Sequence, residues 1–226
     1  MNERVYLDHA AATPVDPGVL RAMEPYWALC SGNPSAVHAE GVAAQKAVVS
    51  ARARIATLLG AHSDEIVFTS GATESANLAL LGAVAAWRVT HPDRTPHVVI
   101  SAIEHAAVVE AAETLRGKGA RVDILPCNAE GVVSSETLVP LLSLDTVLVS
   151  VMFANNEIGT IQPVERLAEQ LVHEAADGKP DLRPERFVIG LEHHELGAAI
   201  QAFLDEKRQP ADGHIFPLAG ERVGAL

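Results

Sequence analysis

The chain has 226 residues, of which 48% are hydrophobic, and a formal net charge of −12 at pH 7. This length allows one large domain, or a domain and a half, with a sizeable core. The acidic balance argues against nucleic acid or an anionic membrane as the main partner, because both attract basic surfaces. No stretch reaches the roughly 18 consecutive apolar residues of a membrane span. The charged residues 1–4 show no secretory signal, so we expect a cytoplasmic protein.

The apolar spacing predicts alternating helices and strands after a short extended arm at residues 6–13. Helices are predicted at residues 14–29, 36–59, 73–88, 106–116 and 134–142, and strands at residues 66–69, 97–101, 121–125 and 146–153. The last strand is almost continuously apolar, as expected for a strand buried on both faces of a parallel sheet. We therefore predict an α/β fold, a three-layer sandwich with a mostly parallel sheet.

Polar side chains follow three of the predicted strands. The turn at residues 70–77 follows the first, Glu104-His105 follows the second, and Asn155-Asn156-Glu157 follows the last. Ligands of open α/β sheets bind beyond the carboxyl ends of the strands. The sequence therefore predicts a ligand site at this edge of the sheet.

The turn at residues 70–73 has the composition of an anion-binding turn. Gly71 permits a tight turn, and the first N–H groups of the next helix point at whatever lies above its N-terminus. Thr73 can cap that helix and offer a hydroxyl, although no Glu or Gln follows at the third position to complete a capping box. An ordinary capped turn has the same pattern, so the turn alone does not establish a site.

Each of the other polar groups also has two interpretations. His105 can stack on an aromatic ligand or transfer protons, or it can be an ordinary histidine at a helix N-terminus. The asparagine amides can bond a ring hydroxyl or an amine, or they can form a polar turn. Residues 33–35 with His38 form either a polar rim or an ordinary loop and N-cap. Cys30 and Cys127 have no disulfide or metal-site spacing, and no metal is predicted.

Several motifs together resemble the cysteine desulfurases, pyridoxal-phosphate enzymes of the aminotransferase class-V type. They are Leu-Asp-His-Ala-Ala-Ala-Thr-Pro at 7–14, Gly-Asn-Pro-Ser at 32–35 with His38 and Gly41, residues 65–75, Glu104-His105, Gly131 in its Asn-Ala-Glu-Gly turn, and residues 155–163. The resemblance covers roughly residues 4–172. It implies a partial large domain of the aspartate aminotransferase-like fold at residues 1–172, followed by a divergent tail at 173–226 with a strand at 186–189 and a helix at 191–207.

The resemblance also implies roles for the site residues. Ala72 and Thr73 look like the residues that hold the cofactor phosphate. His105 looks like the imidazole that stacks on the pyridine ring and assists proton transfer, and Asn156 looks like the amide bonded to the phenolic oxygen of the ring. In this family L-cysteine becomes L-alanine, and the sulfur passes to an enzyme cysteine as a persulfide. That persulfide serves sulfur-acceptor proteins and iron–sulfur cluster assembly, and family members are homodimers.

The sequence departs from the family in the groups that carry out this reaction. The family has its Schiff-base lysine in a Ser-x-His-Lys segment, and none of Lys46, Lys118, Lys179 and Lys207 lies in such a segment. The Asp-Ala-x-Gln segment is absent too. Neither Cys30 nor Cys127 resembles the nucleophilic cysteine of the family. We therefore expect non-covalent pyridoxal-phosphate binding at best, no turnover by this chain alone, and an unpaired sheet edge beside strand 146–153. One alternative is a scaffold that a full-length desulfurase completes, or that regulates it. Another is a class-V relative such as a selenocysteine lyase or a small-amino-acid aminotransferase.

Overall fold

A computed structural model describes residues 5–9, 11–28, 31–169 and 187–190. The chain divides into two compact units. The described part of the first unit ends at Phe68, and the second unit begins at Thr69. Among the residues that the structure describes, no helix combines the length and apolar character needed to cross a membrane.

The first unit contains two helices, α1 (Pro17–Ala28) and α2 (Ala39–Leu59), and a 3₁₀ turn at Ser63–Glu65. Helix α1 begins where Asp16 Oδ1 accepts hydrogen bonds from the N–H groups of Gly18 and Val19. Helix α2 begins three residues later than predicted because His38 is its N-cap. It ends at Gly60, whose φ of 66° is the left-handed conformation that glycine favours at a helix C-terminus.

The strand predicted at residues 66–69 is wrong. These residues join no strand of the described chain, and the Val67 and Phe68 side chains are 65% and 46% exposed. Arg52 of α2 holds the segment instead, since its Nε donates to the Ile66 carbonyl at 3.2 Å and its guanidinium lies 5.0 Å from the Phe68 ring centroid. An apolar run forms a strand only where a neighbouring strand satisfies its backbone groups.

The second unit is a four-stranded parallel sheet with the order β2-β1-β3-β4. Its strands are β1 (His97–Ser101), β2 (Arg121–Leu125), β3 (Thr146–Met152) and β4 (Phe187–Gly190). Its helices are α3 (Ala72–Thr90), α4 (Ala106–Gly117) and α5 (Ser135–Leu138), and residues 164–169 are also helical. The predicted α/β fold with a parallel sheet is therefore confirmed.

The helix predicted at residues 134–142 is shorter than expected. Helix α5 ends at Leu138 and continues only as a 3₁₀ turn at Val139–Leu141. Pro140 explains the break, because proline has no N–H to donate to the preceding turn of an α-helix.

Strand β4 lies in the segment predicted as a divergent tail, where a strand was expected at residues 186–189. It pairs with β3 in parallel, so that Val149 lies opposite Phe187 and Met152 opposite Gly190. The expectation of an unpaired edge beside strand 146–153 is therefore wrong, because β4 occupies that edge. The helix expected at residues 191–207 lies outside the described residues, and the domain boundary at residue 172 stays a prediction.

Two apolar clusters lie on opposite faces of this sheet. On one face Leu80, Val84 and Trp87 of α3 and Val108 and Leu115 of α4 pack with Val98, Ile100 and Leu148. On the other face Leu138 and Leu167 pack with Val99, Val149 and Val151. Each fully buried side chain of this size contributes about 1.5–3 kcal/mol. Because their alternate residues belong to opposite clusters, β1 and β3 are buried on both faces, whereas β2 is partly exposed.

Candidate functional site

The carboxyl edge of the sheet gathers the polar residues that the sequence singled out in the second unit. Residues 102–105 follow β1, and residues 153–157 follow β3. The opposite, amino edge is marked by the 2.6 Å ion pair between Arg94, which follows α3, and Asp145, which precedes β3. Helix α3 therefore runs antiparallel to the strands, with its C-terminus at the amino edge.

The length of α3 brings its N-terminus to the carboxyl edge. Its 19 residues span about 28 Å, whereas the five residues of β1 span about 16 Å. Ala72 and Thr73 therefore lie at the same edge as His105 and Asn156, although residues 66–69 form no strand.

The N-terminus of α3 is capped differently from the expectation. The N-cap is Gly71, and Thr73 lies within the first turn with an exposed side chain. The Glu74 carboxylate accepts from the Ser70 N–H at 2.7 Å and from the Ser70 hydroxyl. These bonds, the hydroxyl first, hold the pKa of Glu74 below its usual range. The sequence analysis missed this cap because it placed the helix start at Thr73.

The same helix end fits an anion such as a phosphate group. The first helical hydrogen bond runs from the Ser75 N–H to the Gly71 carbonyl at 3.1 Å. The N–H groups of Ala72, Thr73 and Glu74 have no acceptor within the described part of the chain. A Cβ added to Gly71 would meet nothing within 4 Å, so the space beside this turn is open. Unpaired amides at a helix N-terminus and a nearby hydroxyl are the groups that bind phosphate.

His105 is the N-cap of α4. Its Nδ1 accepts a hydrogen bond from the Ala107 N–H at 3.1 Å, and its side chain is exposed. The cap fixes the ring beside the end of β1 and assigns Nδ1 as an acceptor. In the neutral ring the proton is therefore on Nε2. This geometry fits an ordinary helix N-cap and equally a ring held at the mouth of a site.

The two asparagines after β3 have different surroundings. Asn155 Oδ1 accepts from the N–H groups of Glu157 and Ile158, both at 3.0 Å, and its Nδ2 donates to the Ile103 carbonyl at 3.1 Å. The half-buried Asn156 amide makes no hydrogen bond to any other described residue. Asn155 therefore shapes the loop, while Asn156 retains an amide that can bind a ligand.

Gln162 connects the loop that contains Asn156 to residues 131–133. Its side chain is 2% exposed, and its amide accepts from the Val133 N–H at 2.9 Å and donates to the Gly131 carbonyl at 2.7 Å. Thr160 also donates to the Glu130 carbonyl at 2.8 Å. Gly131 and Gln162, two residues of the resemblance, therefore join the turn after β2 to the loop after β3.

Glu104 is the residue at this edge to which the sequence analysis assigned no role. Its Oε1 accepts from the Ser101 hydroxyl at 3.1 Å and from the Ser150 hydroxyl at 3.3 Å. Burial raises the pKa of this carboxyl to about 7, against the opposing effect of these hydrogen bonds. The available signal was a serine in each of the two buried strands, Ser101 in β1 and Ser150 in β3.

Within the second unit, the described lysine and cysteine lie away from this edge or face elsewhere. Lys118 is the C-cap of α4, and the 12 residues of that helix place it about 18 Å from the His105 end. Lys46 is exposed on α2 of the first unit. Cys127 follows β2 but packs against the second apolar cluster. Lys179, Lys207 and Cys30 lie outside the described residues.

The polar rim proposed in the first unit has the geometry of an ordinary loop and cap. Asn33 Oδ1 accepts from the Ser35 N–H at 2.9 Å, and His38 Nδ1 accepts from the Gly41 N–H at 3.3 Å.

Throughout the described ranges, no group of three His, Cys, Asp or Glu side chains is arranged to hold a metal ion.

Comparisons with known proteins show the family of this chain. Residues 5–177 match the model of the aminotransferase class-V family. The mitosomal cysteine desulfurase of Trachipleistophora hominis is 49% identical over 168 residues, which cover 74% of this chain and 37% of that protein. The putative cysteine desulfurase IscS 1 of Bacillus subtilis (strain 168) is 44% identical over 169 residues, which cover 75% and 44% of the two chains.

Solved structures give the same result. A NifS-like protein matches with a TM-score of 0.71 and 39% identity, covering 79% of this chain and 47% of its own. SspA in complex with cysteine matches with a TM-score of 0.68 and 36% identity, covering 75% and 48%. The chain thus spans less than half the length of these relatives.

Proposed function

Because the chain belongs to the aminotransferase class-V family, whose cysteine desulfurase members depend on pyridoxal phosphate, we propose that it provides the cofactor-binding part of a cysteine desulfurase-like protein. The proposal is supported by three groups that lie toward the carboxyl edge of one sheet. They are the N-terminal N–H groups of α3 and the Asn156 amide, which have no hydrogen-bond partner among the described residues, and the His105 ring that caps α4.

Each group has a role in holding the cofactor. The N–H groups of Ala72 and Thr73 and the Thr73 hydroxyl bind the phosphate, because helix N-termini attract anions. The His105 ring stacks on the pyridine ring, and Nε2 carries the proton that it transfers, since Nδ1 is occupied by the Ala107 N–H. The Asn156 amide donates to the phenolic oxygen. Pyridoxal phosphate, when bound, supplies an electron sink.

The reaction of the family is incomplete in this chain. Its substrate there is L-cysteine, which is converted to L-alanine while the sulfur passes to a cysteine and then to acceptor proteins, including those of iron–sulfur cluster assembly. That chemistry needs a lysine that holds the cofactor and a cysteine nucleophile. Lys118 lies at the far end of α4, and Cys127 packs into the second apolar cluster. We therefore expect this chain alone to bind the cofactor non-covalently and not to release sulfur.

A second candidate is a non-catalytic binding or scaffold partner that a full-length desulfurase completes, or that regulates it. The described part of the site favours it, since Lys118, the described lysine of the second unit, lies at the far end of α4 from His105. A lysine-bearing chain that co-purifies with the protein would support this candidate. A monomer without a partner in such a pull-down would argue against it.

The test is a titration of the purified chain with pyridoxal phosphate, followed by absorbance before and after borohydride, with sulfide release from L-cysteine measured in parallel. We expect reversible binding, no covalent fixation and no sulfide. The double variant Thr73→Ala, His105→Ala should lose binding by at least about tenfold. Thr90→Ala is the matched control, because its hydroxyl lies at the other end of α3 and bonds Trp87. Unchanged binding in the double variant contradicts the site, and sulfide release contradicts the incomplete reaction.

A further inference from the structure

The Glu104 carboxyl connects the two strands that carry the candidate site. Its Oε1 accepts from Ser101, the last residue of β1, and from Ser150 of β3, which lies opposite Ile100 in the sheet register. The Met152 backbone opposes the rise that burial causes in the pKa of this carboxyl. Glu104 therefore spans the carboxyl ends of two adjacent strands.

The turn at residues 101–105 is tied to its surroundings through backbone groups as well. The Ala102 N–H donates to the Leu125 carbonyl of β2 at 2.9 Å, and the Ile103 carbonyl accepts from Asn155 at 3.1 Å. The next residue after Glu104 is His105, whose ring caps α4. The Glu104 contacts and the α4 cap therefore belong to consecutive residues of one turn.

We propose that Glu104 is a positioning residue of the cofactor site, which acts by holding the turn at residues 101–105 against β3 so that the His105 ring is fixed for the cofactor. This inference rests on the proposed function for its ligand but on the described contacts for its geometry. Burying a carboxyl costs free energy, and a positioning role accounts for a buried carboxyl at this place. Desolvation raises its pKa to about 7, so the folded protein maintains the group in an environment that disfavours its charged form.

The proposal distinguishes an effect through His105 from a general loss of structure. If Glu104 acts through His105, its removal affects cofactor affinity only while the histidine ring is present. A double-mutant cycle measures this dependence, because residues that act through one another have non-additive effects. The four proteins are the wild type, Glu104→Ala, His105→Ala and the double variant. Glu104→Gln retains an acceptor oxygen, and Glu113→Ala on the exposed face of α4 is the control.

We expect Glu104→Ala to raise the pyridoxal-phosphate Kd about tenfold when His105 is present and less than about twofold in the His105→Ala background. Glu104→Gln should restore most of the affinity, and Glu113→Ala should leave it unchanged. The same fold-change in both backgrounds, or no change in either, overturns the proposal.

A measurement without ligand separates this inference from the proposed function. The Ala107 N–H, which donates to His105 Nδ1, reports the ring position through its hydrogen-exchange rate. We expect Glu104→Ala to accelerate exchange at Ala107 about tenfold, and Glu104→Gln and Glu113→Ala to leave it unchanged. If the wild type binds no pyridoxal phosphate, the proposed function fails and this exchange rate alone decides the role of Glu104. An unchanged rate in Glu104→Ala overturns the inference.

Discussion

The side-chain amide of Asn155 donates a 3.1 Å hydrogen bond to the main-chain carbonyl of Ile103, and this bond joins the loop after β3 to the turn after β1. The neighbouring Asn156 makes no such bond to another described residue. Two adjacent residues of the same type therefore have separate tasks. One assembles the carboxyl edge of the sheet, and the other presents its amide there.

This difference predicts opposite phenotypes for two matched variants. Asn155→Ala removes four hydrogen bonds and should lower the free energy of unfolding by about 1–3 kcal/mol. Asn156→Ala should leave that free energy within about 0.5 kcal/mol and weaken pyridoxal-phosphate binding instead. Urea denaturation and a cofactor titration of both variants measure the two effects. Equal losses of stability would mean that Asn156 also has a structural role.

Two helical glycines predict stability changes of opposite sign. A Cβ at Gly41 would lie 2.3 Å from the Ala36 carbonyl oxygen, and backbone atoms cannot move aside as a flexible side chain does. Gly41→Ala should therefore lower the free energy of unfolding by about 1–3 kcal/mol. A Cβ at Gly82 of α3 would meet nothing within 4 Å, so Gly82→Ala should raise it by about 0.5–1 kcal/mol. Thermal or urea denaturation checks both, and a loss of stability in Gly82→Ala contradicts the second.

Local patterns predicted those parts of the fold that local chemistry determines. The bounds of β1 and β2 agree with the prediction, although β2 contains Arg121 and Asp123 among its apolar residues. Residues 66–69 are also mostly apolar, yet a strand also needs a partner, and Arg52 holds them instead. Whether a run is paired depends on residues far away in the sequence, which no local pattern contains.

The candidate site divides in the same way. The positions of His105 and Asn156 after the apolar runs that form β1 and β3 were sufficient to predict that both residues follow the carboxyl ends of these strands. The same prediction for Thr73 started from a strand at residues 66–69 that does not form, and the length of α3 places Thr73 toward this edge instead. The burial of Glu104 and the different hydrogen bonds of Asn155 and Asn156 depend on how β1 and β3 pack together. Side-chain partners of this kind are set by tertiary contacts, so the sequence did not distinguish them.

The surroundings of His97, at the amino edge of the sheet, predict that the free energy of unfolding falls at acid pH. Its buried ring contacts the Thr146 hydroxyl at 2.9 Å and Asp123 at 3.2 Å. Desolvation first, and the charge of Arg121 second, lower the pKa of His97, although Asp123 and Asp145 oppose this shift. The unfolded chain therefore binds a proton at a higher pH than the folded chain. The stability that neutral His97 provides is present above about pH 6.5 and is lost as the pH falls below it.

The variant His97→Gln should lack this acid-dependent loss. Urea denaturation of both proteins at pH 7.5 and pH 5.5 measures their free energies of unfolding. Between the two pH values the wild type should lose more of this free energy than the variant. Cofactor binding by the variant at pH 7.5 should remain at the wild-type level, since His97 lies at the edge opposite the candidate site. A constant difference across this pH range would mean that His97 does not titrate differently in the folded and unfolded chains.

Glu104 predicts the opposite dependence at the carboxyl edge. Its pKa is raised by burial to about 7 in the folded protein, so the folded state retains a proton that the unfolded state has lost. Stability should therefore fall as the pH rises from about 4.5 to 7 and level off above that, with a total of about 3 kcal/mol as an upper value. Glu104→Gln has no charge to bury, so its free energy of unfolding should lack this decrease with pH. The free energy of unfolding of Glu104→Gln minus that of the wild type should therefore increase between pH 5 and pH 8. Glu113→Ala shares the other titrating groups and controls for them. If Glu104→Gln and the wild type differ equally at pH 5 and pH 8, the carboxyl is not withdrawn from water as its contacts with Ser101 and Ser150 indicate.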